Sequence, residues 1–225
     1  MPAFKKDDDK LIFEYILDTA PRDMLMLDVG ARTGKWVVPY VNNFPEGQFY
    51  CFEALPEQYE RLSRRFRKND NVISHNYAIT NRTGKTKFYR DTVRLGWSGL
   101  SKHPYITEYD EIEIDCCTLD KFRLTPYFIK LDVEGAELLA LQGASFTTKH
   151  AQVIYFECNE IHTREFNYAT DQIYNQLKND NFTVYDKHLN ELTKEDFVYR
   201  TADARRFEDP KGYESNFIAL NNIRT

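Results

Sequence analysis

The sequence predicts an α/β fold of the Rossmann-like class, built on a doubly wound and mostly parallel sheet. Three observations carry that prediction. Short apolar runs of strand length alternate with helix-spaced apolar faces along most of the chain. The first run closes on a glycine turn, Asp28-Val29-Gly30-Ala31-Arg32-Thr33-Gly34. Between residues 81 and 117 the alternation gives way to turn and strand signals, which places a β-rich insertion before the fourth core strand. The 225 residues suit one domain, residues 1–225, with residues 1–22 as an N-terminal helical extension.

The elements follow in order. Leu11, Ile12, Tyr15 and Ile16 fall on one helical face behind three aspartates, which favour the positive end of a helix. Residues 24–29 are too short an apolar run for a helix and read as a buried strand. Trp36, Val37, Tyr40, Val41 and Phe44 return to helical spacing, and residues 48–53 form a second strand. Pro56 suits a first helical turn, with Tyr59, Leu62 and Phe66 as the apolar face and the neighbouring Arg and Lys residues as its solvated side. Residues 71–77 are the third strand. Residues 86–90 and the strictly alternating 111–116 make the insertion, with a long loop between them. Regular alternation resumes with strands at 127–133, 153–157 and 182–185 and helices at 136–142 and 168–177. A last strand at 216–220 follows a long irregular segment with no evident crossover helix, so it is expected to run antiparallel.

Composition narrows the function classes. Thirty Lys+Arg against 35 Asp+Glu leave a net charge of −5, so no global basic field draws in nucleic acid. No apolar run approaches the roughly 20 residues of a membrane span, and the first ten residues lack the apolar stretch of a secretory signal. The four cysteines show no zinc-like spacing and read as reduced, packed thiols. The expectation is a cytoplasmic protein without nucleic acid or membrane span as partner.

The glycine turn narrows it further. Its G-x-x-x-G spacing differs from the G-x-G-x-x-G of dinucleotide sites, and Arg32 stands where a pyrophosphate would need close backbone approach. That argues against the alternative of an NAD(P)-linked oxidoreductase. Asp28, just before the turn, suits a ligand ammonium group, while Glu53 at the end of the next strand can accept from both hydroxyls of a ribose. An amino-acid end joined to a ribose describes S-adenosylmethionine (SAM).

The run Phe128-Ile129-Lys130-Leu131-Asp132-Val133-Glu134-Gly135-Ala136-Glu137 sets charged residues within and just after a buried strand, which is costly unless they meet partners. Together with LDVGARTG, CFEALPEQYERL, NYAITNRTGKTKFY and CCTLDKF, this run resembles the FkbM-type SAM-dependent methyltransferases, from about residue 25 to residue 220. Arg32 is the main departure, since the family usually carries Asn there. The resemblance implies a class I methyltransferase fold and SAM as cofactor. It also implies Asp28, Gly30 and Gly34 beside the methionine end, Glu53 on the ribose, and Asn76 and Ala78 near the adenine. Members of that family commonly O-methylate hydroxyls on sugars and similar metabolites.

A hydroxyl is a poor nucleophile until its proton leaves, so a base is expected beside the donor. The candidates are Asp132, Glu134, Glu157 and His162, with a carboxylate, Asp132 or Glu134, preferred over His162. Trp97, Ser98 and Tyr105, in the loop of the insertion, are the candidate acceptor residues. No dedicated ligand spacing is visible, so no metal site is expected. A module that binds SAM without catalysis is the remaining alternative.

Overall fold

A computed structural model describes residues 7–102, 106–203 and 214–223. The chain runs α1 (Asp7–Thr19), β1 (Leu25–Val29), α2 (Val38–Asn43), β2 (Gln48–Phe52), α3 (Pro56–Phe66), β3 (Val72–His75), β4 (Ala78–Ile79) and β5 (Gly84–Asp91). It continues with β6 (Tyr109–Cys117), β7 (Phe128–Leu131), α4 (Glu137–Gln142), α5 (Ser145–His150), β8 (Val153–Glu157) and α6 (Glu160–Arg164). The last elements are α7 (Thr170–Asn179), β9 (Phe182–Tyr185), α8 (Lys194–Thr201) and β10 (Asn216–Asn221). Seven strands form one sheet in the order β3-β2-β1-β7-β8-β10-β9, and β4-β6-β5 form a small second sheet. β10 runs antiparallel to both β8 and β9, as expected, while β1 pairs in parallel with β2 and β7. The order reverses between β1 and β7, which is where an open α/β sheet leaves a crevice at its strand ends.

Strand parity builds two cores. Leu27, Val29, Ile129 and Leu131 join one, with Leu138 and Leu141 of α4, Ile173 and Leu177 of α7 and Phe197 of α8. Met26 and Phe128 join the other, with Ile12 and Ile16 of α1, Tyr40 and Val41 of α2 and Leu62 and Phe66 of α3. The doubly wound prediction is therefore met by side chains on both faces. α1 is tied down by Asp9, whose Oδ1 accepts from Trp36 Nε1 at 2.9 Å and from the Tyr155 hydroxyl at 3.2 Å.

Three helices are absent from the sequence reading. α5 and α6 span six and five residues, too short for a periodic face to register. α8 lies in the segment read as irregular, so the approach to β10 does carry a helix. Its signal was available in Thr193-x-x-Asp196, a capping box in which Thr193 Oγ1 accepts from Asp196 N at 3.1 Å. The third predicted strand, residues 71–77, is β3 and ends at His75; β4 follows just beyond it and belongs to the other sheet.

The charged residues of the central strands share one face. Asp28 stands in register with Cys51 on one side and Lys130 on the other. Lys130 Nζ lies 3.6 Å from Asp28 Oδ1 and 3.0 Å from Asp132 Oδ2, and donates to the Gly30 carbonyl at 3.2 Å. Burial opposes the ammonium's charge, yet Asp132, then Asp28 and Glu157, outweigh it and raise the Lys130 pKa. Lys130 therefore joins the glycine turn after β1 to the end of β7. Lys130→Met should lower the unfolding free energy by about 3–5 kcal/mol, because it strands buried Asp28 without a cation. Adding Asp28→Asn should recover much of that loss in chemical denaturation; an unchanged midpoint in the single variant would contradict the role.

Candidate active site

The ends of β1, β2 and β7 open into a cleft of about 580 Å³, counted to its open mouth. Gly30, Arg32, Glu53 and Leu55 line one side, Ala78 and Ile79 a second, and Asp132, Glu134 and Ala136 a third. Leu95, Gly96, Ser98 and Leu100, from the loop after β5, complete it.

The first turn is shaped by backbone demands. Gly30 has φ +85°, and a Cβ there would overlap the Asp132 carbonyl, so only glycine lets the two loops cross. Arg32 adopts φ 51°, a left-handed conformation that Asn tolerates better than most residues. Its amide donates to Glu53 Oε2 at 2.7 Å, and Leu55 N donates to Oε1 at 2.9 Å. Burial nevertheless raises the Glu53 pKa to about 7 against those hydrogen bonds. Each carboxylate oxygen keeps acceptor capacity beyond its one backbone donor.

Several expected donor contacts are placed differently. Asp28 is fully buried and does not line the cleft; it has the parity of Met26 and sits beneath Lys130. Burial raises its pKa, with Lys130 opposing. Gly34 also lies off the cleft, where a Cβ would meet Leu62 and Phe66 of α3, so it serves helix packing. Asn76 supports the cleft from behind: its Nδ2 donates to the Glu53 and Ala54 carbonyls at 2.8 and 2.9 Å. Gly30, Arg32, Glu53 and Ala78 line the cleft.

The turn after β7 carries the acidic groups. Asp132 is partly exposed to the cleft and paired with Lys130. Glu134 is held at φ 54°, and the reason is Glu137. That carboxylate is buried at the start of α4, where Oε1 accepts from Val133 N at 2.9 Å and Gly135 N at 3.3 Å. Tyr168 adds a hydrogen bond from its hydroxyl to the Gly135 carbonyl. Glu137 thus pins the turn, a role beyond the favourable helix-dipole position that sequence alone assigns it; the K-x-D-V-E-G-A-E run held the signal.

Glu134 meets two of the other base candidates. One ligand atom each from Glu134, Glu157 and His162 lies within 4.8 Å of the others, and Glu134 Oε2 is 3.7 Å from His162 Nδ1. Burial raises the Glu134 pKa well above the usual carboxylate range, and Glu157 and Asp132 push it further. Asn159 caps α6 by accepting from His162 N through Oδ1 at 2.9 Å, which turns its Nδ2 toward His162 Nδ1 at 3.1 Å. The three groups come from a turn, a strand end and a helix, so no local spacing announces them.

The acceptor side is also partly redrawn. Ser98 lines the cleft, but its Oγ accepts from Asp91 N at 3.0 Å and so shapes the loop. Trp97 lies off the cleft, its ring covered by the Arg94 guanidinium at 4.1 Å. Tyr105 lies outside the described residues. Gly99 pairs with Tyr89 and brings the loop against Glu134. Among the described residues no helix is long and apolar enough to cross a membrane.

The family model described as Methyltransferase FkbM domain matches residues 28–197. The 2-O-methyltransferase NoeI of Sinorhizobium fredii is 24% identical over 156 residues, covering 61% of this chain and 64% of that protein, a little under two thirds of the relative's length. The structure of a SAM-dependent O-methyltransferase from Thermotoga maritima superposes with a TM-score of 0.51 at 10% identity, covering 98% of this chain and 67% of that one. An rRNA-methylase candidate from Clostridium thermocellum gives a TM-score of 0.53 at 9% identity, covering 97% of each chain. At such identities these two structures speak for the fold alone.

Glu53 and Glu137 both have pKa values raised by burial from the ordinary 4.5 to about 7. Between those values the folded chain binds more protons than the unfolded one, so stability is greatest below about 4.5 and falls as pH rises through about 7. The loss is on the order of 3–4 kcal/mol per carboxylate, at about 1.4 kcal/mol per pKa unit. Urea unfolding of Glu137→Gln across this window should show a shallower fall than the parent; an identical slope would contradict it.

Proposed function

The chain belongs to the FkbM methyltransferase family and is SAM-dependent, and from that premise we propose that it is an O-methyltransferase acting on a hydroxyl of a sugar or similar metabolite. One observation carries the reading: a single cleft has Glu53 on one wall and Glu134, with Glu157 and His162 beside it, on another. The name of the NoeI relative, a 2-O-methyltransferase, supports the choice of oxygen. The oxidoreductase alternative falls with the family assignment.

The residues present fit SAM. Glu53 offers carboxylate oxygens to the ribose hydroxyls, and Leu55, Ala78 and Ile79 give apolar walls for a flat ring. Asp132, rather than buried Asp28, is the carboxylate near Gly30 that faces the cleft. When bound, SAM supplies an electrophilic methyl group on a sulfonium. The protein's share is alignment of the acceptor oxygen and removal of its proton. Asp132 is already engaged in an ion pair with Lys130 at 3.0 Å. The acceptor hydroxyl is therefore assigned to Glu134 and its two neighbours, under the loop that carries Ser98. Catalysis, rather than binding alone, is the role this cluster favours.

Glu134→Gln should lower kcat by roughly 10²–10⁴-fold while calorimetry shows SAM affinity within about twofold of the parent; methyl incorporation into hydroxylated acceptors at the parental rate would sink the assignment. Glu53 must be ionised to accept from two hydroxyls, so SAM affinity should fall by up to about tenfold per unit as pH drops below about 7. Glu53→Gln should bind roughly ten- to a hundredfold more weakly and lose that pH dependence. Parental affinity in this variant would remove Glu53 from the donor site.

A further inference from the structure

We propose that Glu134, Glu157 and His162 form a binding site for one divalent transition-metal cation, of which Mn2+ is the reference ion, and that this cation receives the acceptor hydroxyl. The acceptor role rests on the methyltransferase reading above; the cation site itself does not.

The donor set is two carboxylates and one imidazole, drawn from the turn after β7, the end of β8 and α6. Oxygen donors in the majority with one nitrogen suit Mn2+ better than Ca2+, and Zn2+ is its competitor. The three donor atoms lie within 4.8 Å of one another. Three donors on one ion at bonds of about 2.1 Å sit about 3.0–3.6 Å from one another, so closure asks for side-chain shifts of roughly 1–2 Å. All three residues are partly buried, which keeps the donors converged without sealing them from solvent.

The imidazole is already in the form a ligand needs. Asn159 Oδ1 is committed to His162 N, so its Nδ2 faces Nδ1, and Nδ1 carries a lone pair rather than a proton. That same nitrogen is the one 3.7 Å from Glu134 Oε2. An ion would replace the Asn159 N–H as the partner of Nδ1, with Asn159 Oδ1 still holding the His162 backbone amide. Lys130 and Arg32 supply the surrounding positive charge, acting on Glu157 and Glu134 respectively, but each is also engaged elsewhere: Lys130 with Asp132, Arg32 against Gly96. A cation between two facing carboxylates would relieve their mutual repulsion.

Glu134 belongs both to the cleft wall and to the triad, so an ion held there borders the donor site. A hydroxyl coordinated to it becomes more acidic and yields its proton to water. The oxygen lone pair then forms the new C–O bond as the C–S bond of the donor breaks, its electron pair going to sulfur. The products are a methyl ether, S-adenosylhomocysteine and one proton.

The test uses the full chain after chelator treatment. Mn2+ titration, with free ion read by electron paramagnetic resonance, should show one saturable site per chain. Glu157→Gln and His162→Gln, each checked for parental thermal unfolding, should weaken it at least about tenfold. Absence of a saturable site, or unchanged affinity in the variants that fold, overturns the cation site. Chelation should also abolish turnover and Mn2+ restore it; turnover indifferent to chelation overturns the acceptor role. SAM binding by calorimetry separates the two readings: SAM bound without Mn2+ overturns the cation site and leaves the methyltransferase reading, whereas Mn2+ bound without SAM supports the site and overturns that reading.

Discussion

A single buried ammonium group joins the halves of this molecule. Lys130 reaches Asp28 on the neighbouring strand, Asp132 beyond its own strand and the carbonyl of Gly30. The contacts cross the point where strand order reverses, the one place in the sheet where the crevice has no crossover to close it. A buried ion pair is a weak source of net stability, because desolvation cancels much of its attraction. Its value here is geometric. The glycine turn and the β7 turn are held at a fixed separation, and both walls of the cleft inherit that separation.

The β7 turn repeats the principle with a carboxylate in place of the ammonium. Glu137 collects the Val133 and Gly135 amides, and Glu134 is carried into a left-handed conformation between them. Such strain persists only where the surroundings over-determine it. The buried acid beneath the turn supplies that determination, and Tyr168 adds to it from outside α4.

What could be read from the sequence follows from the range of each interaction. The succession of strands and helices and the two apolar faces depend on local periodicity, which a linear text preserves. So do Gly30 and Glu53, because each closes its own strand. Asp28 was read toward a ligand because a residue at a strand end can point either way; only the pairing of Asp28 with Lys130 across two strands decides it. The resemblance places Gly34 at the donor, whereas the neighbours that require a glycine there, Leu62 and Phe66, lie in α3. The meeting of Glu134, Glu157 and His162 could not be read at all. Each residue had a reason to be noticed alone, but the contact among them exists only once β7 and β8 lie side by side.

Arg32 has a consequence for how this chain can vary. Its guanidinium lies against the backbone of Gly96, so that any side chain at residue 96 would collide with it. The two positions are remote in sequence yet in contact: a side chain at 96 would make the flexible Arg32 arm swing aside or favour a shorter residue at 32. Homologues should accordingly drift at these two places in concert, trading a long arm from the floor for a bulkier ceiling.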